Sequence, residues 1–428
     1  MSFNYSFKLT QSLFTSKINL VPASLKSPPR LLIILNRFVI GGPAMDTLPL
    51  AWHLKSDFEI LVIYGEKEKD EMEATFLLKQ YQGLAMQKIK WLKRSINPVV
   101  DVAAFFKILW TIARFKPDIV HTHGAKSGLF GRVAAYFCRV PVIVHTFHGH
   151  LFHSYFSSKI SSLIKTLERT LSKITAGFII LSPSQLIDLV NVFKILPLEK
   201  CRIIPLGMEV PQVGDGDEKR NQFRERYGLK KDDIAIGIVG RIVPIKNHQF
   251  FVQAVQKLLL QKAGQLPAFF IIGDGALKVQ VEYQLQALSI PFSNDVITAD
   301  TRVVFTSWLS DLYEVMHGLD IIALTSLNEG TPLSLIEAQA FCKPVVATNV
   351  GGVKDTMIDS ETGFYVDKND INMFCTQIQL LINNSELRSK MGIAGRHFVE
   401  QKFSKNREVE LTRDFYISLL AKKQMAYP

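Results

Sequence analysis

Two doubly wound parallel α/β domains, Rossmann-like and facing each other across a deep cleft, are what this sequence predicts. Three observations carry the prediction: short apolar runs alternate with longer helical-period segments from Leu31 onward, the alternation pauses midway, and the chain has 428 residues. Alternating runs of this kind read as a parallel sheet covered by helices. A chain of that length exceeds what one core fills, so two domains are expected. In such a pair the natural ligand site is the cleft between the halves.

Residues 1–30 come first, with Lys8, Lys17, Lys26 and Arg30, six serines and no acid. They read as a disordered extension, with organelle targeting or surface tethering as the alternative. Residues 31–208 form the expected first domain, whose strands include LLIILN, ILVIYG, DIVHTH, PVIVHTF and GFIILS. Prolines, glycines and charges then cluster in RIIPLGMEVPQVGDGDEKR, residues 202–220, as in a linker. The second domain, residues 209–404, is expected to hold IAIGIVG, AFFIIGDG, RVVFTS, DIIALTS and KPVVAT. A last helix, EVELTRDFYISLLAKK, lies within residues 405–428.

Composition narrows the class. With 47% hydrophobic and 21% charged residues the bulk is globular, and the absence of repeats and low-complexity tracts excludes solenoids and collagen-like arrays. Cys138, Cys201, Cys342 and Cys375 lie far apart with no C-x-x-C pair, which argues for a reducing compartment and against structural zinc. No run of about 18 apolar residues predicts a transmembrane helix. A cytoplasmic protein is expected, either free or peripheral on the cytoplasmic membrane face. Charge is lopsided: 26 Lys and Arg stand against 13 Asp and Glu up to residue 208, and 24 against 26 beyond it. A phosphate-bearing partner fits the basic half, whether a phosphorylated small molecule or an anionic bilayer. No nucleic acid is expected, because no zinc-finger or RNA-binding signature accompanies the charge.

Four stretches carry chemistry. In RFVIGGPAMD, Gly41 and Gly42 let backbone N–H groups approach a phosphate or an acceptor, although such a pair also suits a plain tight turn. His121 and His123 end one expected strand, and His145, His148 and His150 gather at the end of the next. Strand ends line clefts, so these imidazoles suit hydrogen bonding or proton handling there; simple loop histidines are the alternative. A shared metal is not expected, because no carboxylate lies among them. Arg241 and Lys246, just past the strand in GIVGRIVPIKN, offer a planar fork and a point charge for a pyrophosphate, or are merely solvated. In NEGTPLSLIEA, Thr331 is a candidate N-cap with Pro332 at the first helical position. Glu329 then lies in the loop and Glu337 in the second turn, where both carboxylates could face the hydroxyls of one ligand. For Glu337 a surface position near a helix N-terminus is the equal alternative.

Taken in order, RFVIGGP, DIVHTHGAKSGLFGR, VHTFHGH, VGRIVPIKN, GDG, SLNEGTPLSLIEAQA, KPVVATNVGGV and ETGFYV cover roughly residues 31–366. In these motifs the chain resembles glycosyltransferase family 4, the retaining group 1 glycosyl transferases of GT-B fold. The resemblance implies transfer of a sugar from a nucleotide-diphosphate donor, UDP-linked, to a glycan, lipid-linked or small-molecule acceptor, in the manner of a hexosyltransferase of polysaccharide or glycolipid biosynthesis. It implies that Arg241 and Lys246 hold the donor diphosphate and Glu337 the ribose. Glu329 would meet the transferred sugar near its anomeric carbon, and His148 would reach that sugar from the first domain. Thr331, Pro332 and Leu333 would aim the helix start at the phosphates, with Gly41 and Gly42 forming the phosphate and acceptor loop. No cofactor and no metal are implied, the nucleotide sugar being a substrate.

The sequence departs from the family pattern at Cys342, where glycine is usual, and at Asp355, where glutamate is common. Two other classes stay open: a nucleotide-sugar epimerase of the same fold, and a non-catalytic nucleotide-sugar binding protein. One further helix is expected at residues 159–177, with Ile160, Leu163, Ile164, Leu167, Leu171 and Ile174 along one face. It reads as packed on the core; membrane attachment, helped by KIKWLKR at 88–94 and the aromatic LFHSYF, is the alternative.

Overall fold

The computed structural model describes residues 27–68, 71–148, 158–210, 216–261, 266–298, 300–309 and 311–426. His150, LFHSYF and nearly all of the N-terminal extension lie outside the described residues.

The first sheet is built from β1 (Arg30–Leu35), β2 (Glu59–Gly65), β3 (Ala85–Ile89), β4 (Ile119–His123), β5 (Val142–Phe147), β6 (Gly177–Ile180) and β7 (Cys201–Ile203). All neighbours are parallel, in the order β3-β2-β1-β4-β5-β6-β7. Its helices are α1 (Gly42–Leu54), α2 (Phe76–Gln80), α3 (Pro98–Phe115), α4 (Ala125–Phe137), α5 (Ser158–Ile174) and α6 (Pro183–Ile187). Strands β4, β5 and β6 are buried at every position because helices cover both faces of the sheet, and the polar ends of β4 and β5 are buried with them.

The second sheet comprises β8 (Ala235–Val239), β9 (Ala268–Ile272), β10 (Phe292–Ser293), β11 (Val303–Ser307), β12 (Ile321–Leu324), β13 (Val345–Thr348) and β14 (Gly363–Val366). It too is parallel throughout, ordered β10-β11-β9-β8-β12-β13-β14. Around it lie α7 (Gly216–Arg226), α8 (His248–Leu260), α9 (Lys278–Ala287), α10 (Leu312–Gly318), α11 (Leu333–Ala340), α12 (Ile371–Asn383) and α13 (Ser385–Lys402). The two faces carry separate cores, one around Phe251, Phe269 and Phe374 and the other around Phe223, Phe270 and Leu335. This pair of seven-stranded parallel sheets is the GT-B architecture.

The stretch expected as a linker at 202–220 is shorter than that. Strand β7 takes its beginning and α7 its end, because Cys201–Ile203 completes the first sheet alongside β6. The chain leaves and returns at one place: Met208 N–H donates to the Phe403 carbonyl (2.7 Å) and Lys405 N–H donates to the Met208 carbonyl (2.9 Å). From there α14 (Lys405–Ala426) runs back onto the first sheet, where Tyr416 and Leu419 join its core.

Each sheet changes winding direction once, between β1 and β4 in the first and between β8 and β12 in the second. Loops leaving adjacent strands diverge at such a point and open a crevice. The glycine pair follows β1, His121 and His123 lie in β4, Arg241 and Lys246 follow β8, and Glu329 follows β12 with Glu337 on the helix after it; His145 and His148 stand at the end of the adjacent β5.

Candidate active site

A cleft of about 730 Å³ opens between the two sheets, lined from the first domain by Gly41, Pro43, Gly124, His145 and His148. From the second it is lined by Arg241, Lys246, Glu329, Thr331, Pro332, Leu333 and Glu337. Gly42 opens α1 directly behind Gly41. A Cβ built on Gly41 would meet nothing within 4 Å, so the side of this residue that faces the cleft is open space. Its backbone also takes φ 156°, ψ 166°, which side-chain-bearing residues rarely adopt.

The second wall is charged. A short 3₁₀ turn over Pro244–Lys246 follows β8 and directs Lys246 Nζ onto Glu329 Oε1 at 2.6 Å. The Ser326 hydroxyl donates to the same carboxylate oxygen at 2.6 Å. Arg241 is exposed in the cleft and has no carboxylate partner among the described residues. Gly351 and Gly352 hold the Glu329 loop from behind: Gly352 N–H donates to the Glu329 carbonyl (3.0 Å), and a Cβ on Gly352 would overlap the Gly330 carbonyl. Glu337 sits at the cleft floor, where burial pushes its carboxyl up to about 7 against the opposing pull of Lys246.

The helix bearing Glu337 starts one residue later than the sequence suggested. Pro332 is the N-cap and Leu333 the first helical residue, with no side-chain cap. Thr331 therefore belongs to the loop, because Pro332 at ψ 103° is still extended. The N–H groups that open α11 face the cleft without a capping side chain.

The first wall carries two carboxylates that are already paired, Glu73 with Lys88 (2.6 Å) and Glu168 with Arg132 (2.8 Å), and a cluster of uncharged histidines. His123 Nδ1 and His148 Nε2 share a hydrogen bond of 2.7 Å, and the His121 and His123 rings pack at a tilt of 46° with centroids 4.0 Å apart. Thr122 Oγ1 meets His145 Nδ1 at 2.8 Å, and Thr146 Oγ1 meets His121 Nε2 at 2.7 Å. Burial drives all four imidazoles down, His121 to about 3 and His123 and His145 well below their ordinary value, so they stay uncharged at neutral pH. Helix α14 supports this cluster: Tyr416 OH lies 2.6 Å from His121 Nδ1. At its start Lys405 pairs with Asp46 (3.1 Å) and Glu408 (2.6 Å), fastening it to the helix that follows Gly41. Burial alone would lower the Lys405 pKa, but Glu408 and Asp46 outweigh it and raise it.

Reasoning from the sequence did not reach Ser326, His123 as the partner of His148, Gly351 and Gly352 as the brace of Glu329, or Tyr416. Only Ser326 carried a local signal, three residues ahead of Glu329 in one motif. The departures from the family pattern have local explanations. Cys342 adopts φ 57°, a left-handed backbone that glycine takes at no cost. Asp355 accepts a hydrogen bond from Ser184 N–H (3.0 Å), joining the second domain to the first. Among the described residues no three His, Cys, Asp or Glu side chains cluster as a metal site.

Fold and cleft define a two-domain GT-B glycosyltransferase. The family model for Glycosyltransferase Family 4 matches residues 40–210, and that for Glycosyl transferases group 1 matches residues 219–398. The chain belongs to this family, and it is an enzyme of the hexosyltransferase type. It is 27% identical over 330 residues to an Escherichia coli UDP-Gal:alpha-D-GlcNAc-diphosphoundecaprenol alpha-1,3-galactosyltransferase, covering 77% of this chain and 83% of that one. The capsular polysaccharide glycosyltransferase CapM of Staphylococcus aureus is 29% identical, covering 76% and 83%. Among solved structures, Anabaena HepE in complex with UDP and glucose superposes with TM-score 0.73 at 16% identity, covering 91% of this chain and all of that one.

Proposed function

We propose that the chain transfers a hexosyl unit from a UDP-sugar to a hydroxyl of a lipid-linked glycan acceptor, with retention at the anomeric carbon. The observation that carries this reading is the charged second wall, in which Arg241, Lys246 and the opening of α11 face the same cleft as Glu329 and Glu337. As the bond from the anomeric carbon to the diphosphate breaks, negative charge grows on the leaving oxygen. Arg241, Lys246 and the uncapped N–H groups of α11 are fixed donors for that charge, so the scheme needs no metal. The acceptor hydroxyl forms the new bond on the same face and gives its proton to the departing phosphate oxygen. No nucleophilic side chain enters the scheme. Glu329, held by Lys246 and Ser326, meets the sugar next to its anomeric carbon, and Glu337 accepts the ribose hydroxyls. His148, neutral and oriented by His123, binds the sugar from the opposite wall. Trp308, Leu309 and Ile272 supply an apolar end for the base. The relative named for galactosyl transfer to alpha-D-GlcNAc-diphosphoundecaprenol supports the acceptor class, and the one named for capsular polysaccharide biosynthesis supports a glycan product.

The test is a thermal-shift panel of UDP-, GDP- and ADP-sugars, followed by product analysis with a diphospholipid-linked sugar analogue. A shift with UDP-sugars and acceptor-dependent UDP release, with the donor's anomeric configuration kept in the product, is expected. An epimerised donor formed without acceptor, or an inverted product, would overturn the reading.

A further inference from the structure

Helix α3 is apolar on both of its faces. Ala104, Ile108 and Ile112 are buried against the first sheet. On the opposite side Val99, Val102, Phe106 and Trp110 recur every three to four residues, where a helix resting on a sheet ordinarily carries polar side chains. Phe106 is 59% exposed and Trp110 50%.

The neighbouring helices extend this surface. Tyr136 and Phe137 are exposed at the end of α4, which lies against α3 through the Cys138 thiol on the Leu109 carbonyl. On α5 the stripe expected to pack on the core is only half buried: Leu171 is covered, whereas Ile160, Leu163 and Leu167 are exposed. No helix among the described residues is long and apolar enough to cross a membrane.

Charge on this layer has one sign. The three helices hold eight Lys and Arg but only two acids, Asp101 and Glu168. Asp101 is paired with Lys126 at 2.7 Å, and Glu168 with the fully buried Arg132 at 2.8 Å. Lys107, Arg114, Lys165 and Lys173 have no acid left on these helices to offset them. Lys107 and Arg114 lie over the Trp110 ring, at 4.0 and 5.4 Å.

We propose that the outer face of α3, α4 and α5 docks on an anionic lipid bilayer. Aromatic and aliphatic side chains would enter the headgroup boundary while the lysines and arginines meet lipid phosphates. A second copy of the chain is the poorer occupant, because it would set two positive faces against each other. The geometry also places the cleft at the membrane edge: the Asp101–Lys126 pair ties the first turns of α3 and α4 together, and Gly124 and Ala125 beside them line the cleft. The proposal deepens the lipid-linked acceptor reading and rests on it for its purpose, but it is tested without transfer, so either can fail alone.

The experiment is flotation of the full chain with phosphatidylcholine vesicles, with and without phosphatidylglycerol, at low and high salt. Binding only to the anionic vesicles, weakened by salt, is expected. Phe106→Ser combined with Trp110→Ser should reduce it about tenfold or more. The melting temperature and the UDP-sugar thermal shift of this variant should stay unchanged. Failure of the wild-type chain to float with anionic vesicles overturns the proposal, as does a variant that floats equally well. A concentration-dependent dimer that the variant abolishes, without lipid binding, would assign the face to a second copy instead.

Discussion

The two walls of the cleft differ in the charge they leave open to a ligand. The second-domain wall displays charge, with Lys246 and Glu329 in direct contact and Arg241 exposed. The first-domain wall displays buried imidazoles whose charge has been removed by desolvation. The difference teaches where the chemistry of charge separation belongs. A leaving diphosphate needs preorganised cations and dipoles, whereas a neutral sugar needs donors and acceptors in fixed orientations. A charged histidine opposite Arg241 and Lys246 would add like charge to the cleft, and burial prevents it.

Glu329→Gln strikes the charged wall hardest. Turnover should fall by about 10² to 10³-fold, the range found when an electrostatic contact to the transition state is lost, with UDP-sugar affinity within a few-fold. Initial rates and calorimetric titration measure the two, and unaltered turnover would remove Glu329 from the reaction. Behind that wall, Gly352→Ala places a methyl on the Gly330 carbonyl and should cost about 1–3 kcal/mol. A lowered melting temperature together with weakened donor binding is expected, because the displaced loop is the one that carries Glu329.

On the histidine wall the effects are smaller. Tyr416→Phe leaves His121 Nδ1 without its hydroxyl and should cost about 1 kcal/mol in denaturant unfolding. A much larger loss of activity than of stability would mean that the histidine cluster depends on α14 for more than support. Glu337→Gln gives the finest test. Its folded-state pKa is raised to about 7 from 4.5, so the folded chain holds a proton that the unfolded chain releases. The contribution of this carboxyl to stability should therefore decline as pH rises from about 4.5 to about 7 and level off above, against the rise that the buried histidines give both chains, and the glutamine variant lacks it, so the difference between the two chains carries the signal. Melting curves of both across this range show it, and parallel curves would mean that Glu337 is not desolvated.

Residues close together in sequence were legible. The alternation of apolar runs determined two parallel sheets, because strands covered on both faces must be continuously apolar. Glu329 and Glu337 were legible as a pair because one loop and one short helix carry both, and Arg241 with Lys246 because a single turn does. The start of that helix was misread by one residue, since a proline suits both the cap and the first turn and only its backbone angle distinguishes them. What the tertiary structure alone decided are the contacts across long stretches of chain. These are the Lys246–Glu329 pair between two strand ends, the glycines that brace Glu329, the His123–His148 bond, and the return of Tyr416 to His121. The apolar stripe of α3 belongs with them. Its outward Val99, Val102, Phe106 and Trp110 are as apolar as its inward residues, and only the packing of one face on the sheet shows that the other was left uncovered.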